Sequence, residues 1–521
     1  MKLTEKRFKY TFFTSIFVGL AAHLFALTNV LQNYDNISQT PVGVGTGVTS
    51  GRWVIELLSQ LHIKYGVNYN IPMVNGLIAI FLLSVSVCLI IDVLNIQSVP
   101  LCCVFAGIFI SFPVVTSSMF FMYVVEYNSL AAFLAVLAVW VARKYHWIGL
   151  VGGTLCLAVS LGIYQAYLPM TASLFVILLL KEVLSGKSRW LTVLCRGVLD
   201  LFTMILGFAA YYGCMKWNLA KHGAELSDYQ GINNMGNISL RSLPGLLKRA
   251  VGDIVKMPFI DYYGISSTVV VRIAIVILAI ISFVGIVYLL WAKKARVSLI
   301  LECILLCMIF PLAVNGITIM CSESEIYTMM VYGSVFIFLV PVMVMDLIVQ
   351  NADVKINKLS RRKLYLYGRN SVAALLILVT VQYVWLSNGN YMAMYYNTEQ
   401  TKAYLSSMLT QVRMTEGFNT SLSWAFIGKV SDETFHNQWK DSNKFHYGGN
   451  GVTEEKPLVN YYSRKSWFWH YMGYVPNLVD NDQVKELRKD PYVKICPVIR
   501  ITDQLQSIRT PLLSSYLTKK L

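Results

Sequence analysis

The chain has 521 residues, 56% of them hydrophobic and only 14% charged, with a formal net charge of +16. Soluble domains carry about 25% charged residues. With a mean hydropathy of +0.54, this composition excludes a soluble enzyme and predicts a polytopic α-helical membrane protein. The excess of Lys and Arg does not call for nucleic acid. The basic residues fall mainly between apolar runs, as the positive-inside bias of membrane proteins requires.

Lys2, Lys6, Arg7 and Lys9 precede a first apolar run without a cleavage site, so that run reads as a retained span rather than a signal peptide. Given the ~20 residues needed to cross the hydrocarbon core, about eleven spans are expected, near 10–31, 70–94, 98–117, 126–142, 147–164, 167–182, 191–215, 268–291, 297–319, 326–349 and 370–388. With the N-terminus cytoplasmic, the dense basic clusters all fall on the inner side: Arg143-Lys144, then Lys181, Lys187 and Arg189, then Lys293, Lys294 and Arg296, and a last group from Lys355 to Arg369. The outer face then carries the loops 32–69 and 216–266 and the region after residue 388.

Two domains are expected: a transmembrane domain over 1–388 and an extracytoplasmic C-terminal domain over 389–521. The second has no span-length apolar run. Short strands at 424–427 and 493–495 and helices at 398–413 and 482–489 predict a small α/β fold there. Its run Trp467-Phe468-Trp469-His470-Tyr471 is either a packed core or interfacial belt, or a stacking platform for a sugar. Within the outer loops, 52–61 and 243–256 have apolar residues on one helical face, the pattern of helices lying flat in the interface. The ten Cys show no metal-ligand spacing and read as packing residues.

The chemistry-bearing residues gather in the first outer loop. Asn33-Tyr34-Asp35-Asn36 follows the first span, then a glycine-rich stretch, then Ser50-Gly51-Arg52-Trp53. Asp35 is the candidate general base, since a carboxylate needs only hydrogen-bond reach of a hydroxyl nucleophile; the plain alternative is a solvated loop carboxylate. Arg52 is the candidate phosphate ligand, with its planar fork and the amides of a helix N-terminus beside it. Its alternatives are snorkelling at the interface or an i,i+4 pair with Glu56. Lys248 and Arg249 offer a second outer cationic patch, which lipid headgroups would equally explain. Glu126 lies at the outer end of a span, as do Glu323 and Glu325 for a later one. His23 reads as a relay or a helix-packing residue, and Asp92 and Asp346 as structural.

Taken in order, these motifs, with Gly162-Ile163-Tyr164-Gln165-Ala166-Tyr167 in a mid-chain hairpin and Asn388-Gly389-Asn390-Tyr391 after the last span, resemble the type II Gtr glucosyltransferases over roughly residues 10–415. These are bacterial membrane enzymes of the GT-C class that modify O-antigens and other surface polysaccharides from a polyprenyl-phosphate sugar. The resemblance implies a multi-pass protein of the bacterial cytoplasmic membrane with its C-terminal domain outside. It implies transfer of a hexose, glucose by preference, to a cell-surface glycan, with inversion. Asp35 would be the base, and Arg52 would hold the lipid phosphate with Lys248 or Arg249. Asn36, Tyr164 and Gln165 would bind substrate, and Glu56 or Glu126 would supply a second carboxylate. It implies no metal and no cofactor beyond the donor lipid. Membrane lipid, the acceptor glycan and a separate donor synthase and flippase would be the partners. The competing reading is a transporter or flippase for a lipid-linked glycan, which would show internal repeats and midmembrane charges.

Overall fold

A computed structural model of the chain describes residues 5–38, 47–66, 70–186, 188–227, 239, 241–321, 325–355, 359–427, 457–487 and 512–515. The expected strand at 493–495 and Glu323 lie outside the described residues.

The fold is built of helices: α1 (Lys6–Thr28), α2 (Tyr34–Ser38), α3 (Trp53–Tyr65), α4 (Pro72–Val93), α5 (Val99–Ser111), α6 (Pro113–Met119), α7 (Val125–Lys144), α8 (His146–Ile163), α9 (Leu168–Ser185), α10 (Trp190–His222), α11 (Leu243–Lys256), α12 (Val269–Ala292), α13 (Val297–Val314), α14 (Ile317–Met320), α15 (Leu339–Lys355), α16 (Leu359–Arg413), α17 (Arg464–Met472) and α18 (Asn481–Leu487). Three prolines sit where a missing N–H costs nothing: Pro72 opens α4, Pro169 lies in the first turn of α9, and Pro113 restarts the helix after Phe112; Pro311, by contrast, lies inside α13. Among the described residues ten helices are long and apolar enough to cross a membrane, and one further apolar helix, Trp147–Ile163, is shorter. This is the architecture of a multi-pass membrane protein. With the shorter helix, each of the eleven expected spans corresponds to an apolar helix among the described residues. Extended backbone at Tyr145 and Tyr164 cuts the shorter helix off at both ends. At the other extreme, α10 runs on to His222 instead of ending near 215, because Tyr211, Met215 and Leu219 continue one buried i,i+4 stripe.

The chain divides into two compact units. Of the described residues, the first comprises those up to Thr28 and from Pro41 to Gly389; the second comprises Asn29–Thr40 and the residues from Asn390 onward. In the first unit α1 packs on α4 and α5, α7 on α4 and α8, α10 on α8, α9 on α13 and α12 on α15. Its polar groups inside the bundle are tied down. His23 Nε2 lies 2.9 Å from the Ile110 carbonyl. Asp346 accepts from the backbone N–H of Gln97 and Ser98 and from Gln350. Tyr332 donates to the Phe109 carbonyl, and its ring stacks on Phe112.

The second unit has its own apolar core, formed by Ile37, Leu405, Met408, Leu409, Trp424, Phe426, Leu458, Trp467 and Phe468. Three short strands order as β2-β1-β3, with β1 (Ser423–Ile427) parallel to β2 (Asn477–Leu478) and antiparallel to β3 (Leu512–Ser515). The expected helix at 398–413 is the C-terminal part of α16, with no break before it. In the aromatic run, Trp467 and Phe468 are buried core, while Trp469 is half exposed and stacks on His470.

Candidate functional site

The Arg52 neighbourhood in the first unit starts from a turn. Gly51 has φ +70 and its N–H reaches the Val48 carbonyl, while the Arg52 N–H reaches the Gly47 carbonyl at 2.8 Å. A left-handed residue at this point turns the chain into α3, and glycine takes that conformation without a Cβ penalty. Space forbids a side chain as well: a Cβ on Gly51 would lie 2.9 Å from both Tyr211 Oη and Met215 Sδ. Below the turn lies an apolar cluster of Leu157, Ala158, Leu161, Tyr211 and Met215, against which Val48 and Trp53 pack. At Gly162 a Cβ would meet Trp53 and Val54 within 3 Å, so that glycine is what lets α3 lie close on α8.

Gln165 locks this arrangement. Buried at the end of the mid-chain hairpin, its Nε2 donates to the Ser50 carbonyl at 3.0 Å and to Tyr211 Oη at 2.9 Å. Both contacts are to protein, so in this structure Gln165 braces the turn that carries Arg52. Tyr164, its neighbour, places its ring beneath the Arg52 guanidinium, with Cζ 4.7 Å from the ring centroid. Arg52 Nε is buried without a hydrogen-bond partner, and among the described residues Arg52 makes no ion pair. The i,i+4 alternative with Glu56 is not formed: Glu56 accepts from Gln60 instead and packs on Gly47. A partly buried guanidinium at the N-terminus of a 13-residue helix, with donors left over, is a site for an anion.

The α11 patch has a second composition. Lys248 is exposed, and Arg249 lies 4.0 Å from Asp253. Asn315 ties α11 to the following helices by donating to the Ala250 carbonyl, and it accepts from Tyr262 Oη. Tyr263 adopts φ +49, a conformation that costs a non-glycine residue roughly 1–2 kcal/mol. It is held in the braced loop after α11, where Arg272 donates to the carbonyls of Ser266 and Phe259. Burial pushes the Tyr263 phenol up, with Asp253 adding to the effect and Arg249 opposing it, so the group stays a neutral donor. Cys321, buried after α14, is within electrostatic reach of both Tyr164 and Tyr263. Tyr211, Asp253, Tyr263 and Cys321 were not singled out from the sequence. Only the positive φ of Tyr263 and its chain neighbourhood mark it, and neither is legible in residue types.

Glu126 sits in the first turn of α7, buried, with Oε2 lacking a partner. No interaction among the described residues links it to Arg52. The next residue, Tyr127, reaches His62 on α3 at 3.4 Å. Glu325 accepts from Tyr327 Oη.

Asp35 belongs to the second unit. It lies in the first turn of α2, whose Ile37 is fully buried in that unit's core. Asn33 caps the helix: its Oδ1 accepts from the N–H of Asp35 at 3.0 Å and of Asn36 at 2.7 Å. Asn36 is buried and donates to the Leu31 carbonyl. Gln32 adds two ties, its N–H to Thr398 Oγ1 and its side chain to Tyr471 Oη. The Asp35 carboxylate accepts from Tyr462 Oη at 2.8 Å. Tyr462 stands beside Tyr461, edge to face, and both rings are well exposed. This partner lies 427 positions away in sequence, and no local signal pointed to it. An oriented, solvent-accessible carboxylate flanked by exposed aromatic rings suits a polyhydroxylated ligand. No cluster of metal-ligating side chains occurs among the described residues.

Against known proteins, the family model described as glucosyl transferase GtrII matches residues 24–338, a span that contains the Arg52 turn, the α11 patch and α2 but not Tyr461 and Tyr462. No curated protein and no solved structure matches the chain.

Proposed function

This chain belongs to the glucosyl transferase GtrII family, and from that premise we propose a membrane glycosyltransferase that moves glucose from a polyprenyl-phosphate donor to a cell-surface glycan on the outer face of the bacterial cytoplasmic membrane. The observation that carries the donor assignment is the Arg52 guanidinium, seated on Tyr164 with no acceptor for its buried Nε among the described residues. A phosphodiester is the natural counter-ion, since a guanidinium binds phosphate oxygens through two parallel N–H donors. In this reading Arg52 and the N-terminal amides of α3 hold the phosphate. Arg249, with Lys248 beside it, adds positive charge as the leaving phosphate develops its own.

Asp35 acts as the general base. It takes the proton of an acceptor hydroxyl, whose oxygen attacks the anomeric carbon. The bond from that carbon to the phosphate oxygen breaks, polyprenyl phosphate departs and the anomeric centre inverts. Tyr462 orients the carboxylate, and Tyr461 and Tyr462 supply ring faces for acceptor sugar. Gln165 is a positioning residue that fixes the Arg52 turn, and Asn36 positions α2. The family, the fold of the GT-C class and the outer-face orientation are mutually consistent with the basic loops of the sequence.

The test is direct. Purified full-length protein in lipid is given polyprenyl-phosphate glucose and cell-envelope glycan, and release of polyprenyl phosphate is followed. Wild type releases it only when the glycan is present. Asp35→Asn, folded as judged by its unfolding midpoint, abolishes release. Full activity in that variant ends the base assignment, and glycan movement without sugar transfer would favour the transporter reading.

A further inference from the structure

At the far end of the bundle from the Arg52 turn, the first unit holds a cavity of about 650 Å³. The separation follows from α8. Trp147, in its first turn, lines the cavity, while Tyr164 follows its last residue. An 18-residue helix is about 27 Å long, so the cavity and the proposed donor site lie near opposite membrane surfaces.

Its walls are of two kinds. One is ionic and balanced: Arg143, Lys144 and Arg196 face Asp92, Glu182 and Asp200. Arg143 bridges Glu182 and Asp200 from a nearly buried position, and its Nε is left without an acceptor. The other two cations are paired as well but far more exposed. Lys144 lies 3.2 Å from Asp92 with its side chain 40% exposed, and Arg196 lies 2.7 Å from Glu182 with 47% exposed. The other wall is apolar and open: Trp147 is 80% exposed and Leu199 52%. On a membrane-spanning bundle such side chains face acyl chains.

We propose that this cavity binds the headgroup of a zwitterionic phospholipid bearing a primary amine. The phosphate lies on Lys144 and Arg196, the ammonium on Asp92 and Glu182, and the acyl chains leave along Trp147 and Leu199. Equal numbers of fixed positive and negative groups line the cavity, which disfavours a purely anionic headgroup. Carboxylate acceptors call for N–H donors, which a quaternary ammonium lacks. The apolar, lipid-facing mouth calls for an amphiphile and not for the free headgroup. Basic pockets between helices at the membrane surface are established lipid sites; the acidic half of this one sets its selectivity.

The experiment uses full-length protein reconstituted in phosphatidylcholine vesicles doped with phosphatidylethanolamine or with phosphatidylglycerol, then extracted gently and weighed by native mass spectrometry. Wild type retains phosphatidylethanolamine over both other lipids. The double variant Lys144→Gln/Arg196→Gln loses about tenfold of that enrichment, the scale of losing charge-assisted hydrogen bonds. The charge-keeping double variant Lys144→Arg/Arg196→Lys retains most of it, and it decides the matter if the neutral variant does not fold. Equal retention of all three lipids by wild type, preference for phosphatidylglycerol, or undiminished enrichment in a folded Gln variant each overturns the proposal. So does binding of free O-phosphoethanolamine without enrichment of the lipid.

Discussion

Gly51→Ala is the sharpest perturbation of the donor site because the structure sets its size from two sides. The backbone at this position has φ +70, where an L residue costs roughly 1–2 kcal/mol. The added Cβ meets Tyr211 Oη and Met215 Sδ at 2.9 Å and Gln165 Nε2 at 3.3 Å. Tyr211 and Gln165 are themselves hydrogen-bonded, and Gln165 also holds the Ser50 carbonyl. To make room, the turn must lift and loosen those two bonds, at about 1 kcal/mol each. The sum is about 3–4 kcal/mol of lost stability, and Arg52 moves off Tyr164 with it. The assay is SDS titration in mixed micelles, followed by tryptophan fluorescence, with the donor concentration for half-maximal transfer measured in parallel. Gly252→Ala is the control: it is helical, nothing lies within 4 Å of its Cβ, and it gains about 0.5–1 kcal/mol. The reasoning fails if Gly51→Ala matches wild type within about 0.5 kcal/mol and its donor requirement is unchanged.

Three further outcomes are expected. Arg52→Lys keeps the charge and loses the planar fork, so kcat/KM for the donor falls about ten- to a hundredfold, and Arg52→Gln falls further still; equal activity of Lys and wild type would show that a point charge suffices. Tyr462→Phe removes the donor 2.8 Å from Asp35 and lowers kcat about three- to tenfold at unchanged stability, whereas a loss of folding with no kinetic effect would make Tyr462 structural. Asn33→Ala deletes the cap of α2 at about 1 kcal/mol, read as faster hydrogen exchange of the Asp35 and Asn36 amides; unchanged exchange would mean that the core contact of Ile37 alone holds the helix.

The sequence by itself determined the apolar helices, the kinship with the glucosyltransferase family and the strand at 424–427. The helices and the strand rest on hydropathy and periodicity, and the kinship on short motifs and their order; all are properties of neighbouring residues that need no knowledge of where the rest of the chain goes. It also brought Asp35 and Arg52 to notice through one loop. What each of them touches was decided only in three dimensions. Ile37 buries in a core otherwise made of residues beyond 400, so α2 groups with the second unit and not with the span it follows. Tyr462 becomes the partner of Asp35 across 427 positions, and Gln165 turns inward to Ser50 and Tyr211. The same holds for the short Trp147–Ile163 helix and the ionic cavity at its start, assembled from five helices; of its charges the sequence marked only Arg143 and Lys144, as a basic loop, and Asp92, as a structural acid. Side-chain pairing at long range depends on which surfaces meet, and residue types alone leave that choice open. For Arg52 the decisive fact was likewise tertiary: the fold gave it a ring to sit on and, among the described residues, no carboxylate to neutralise it.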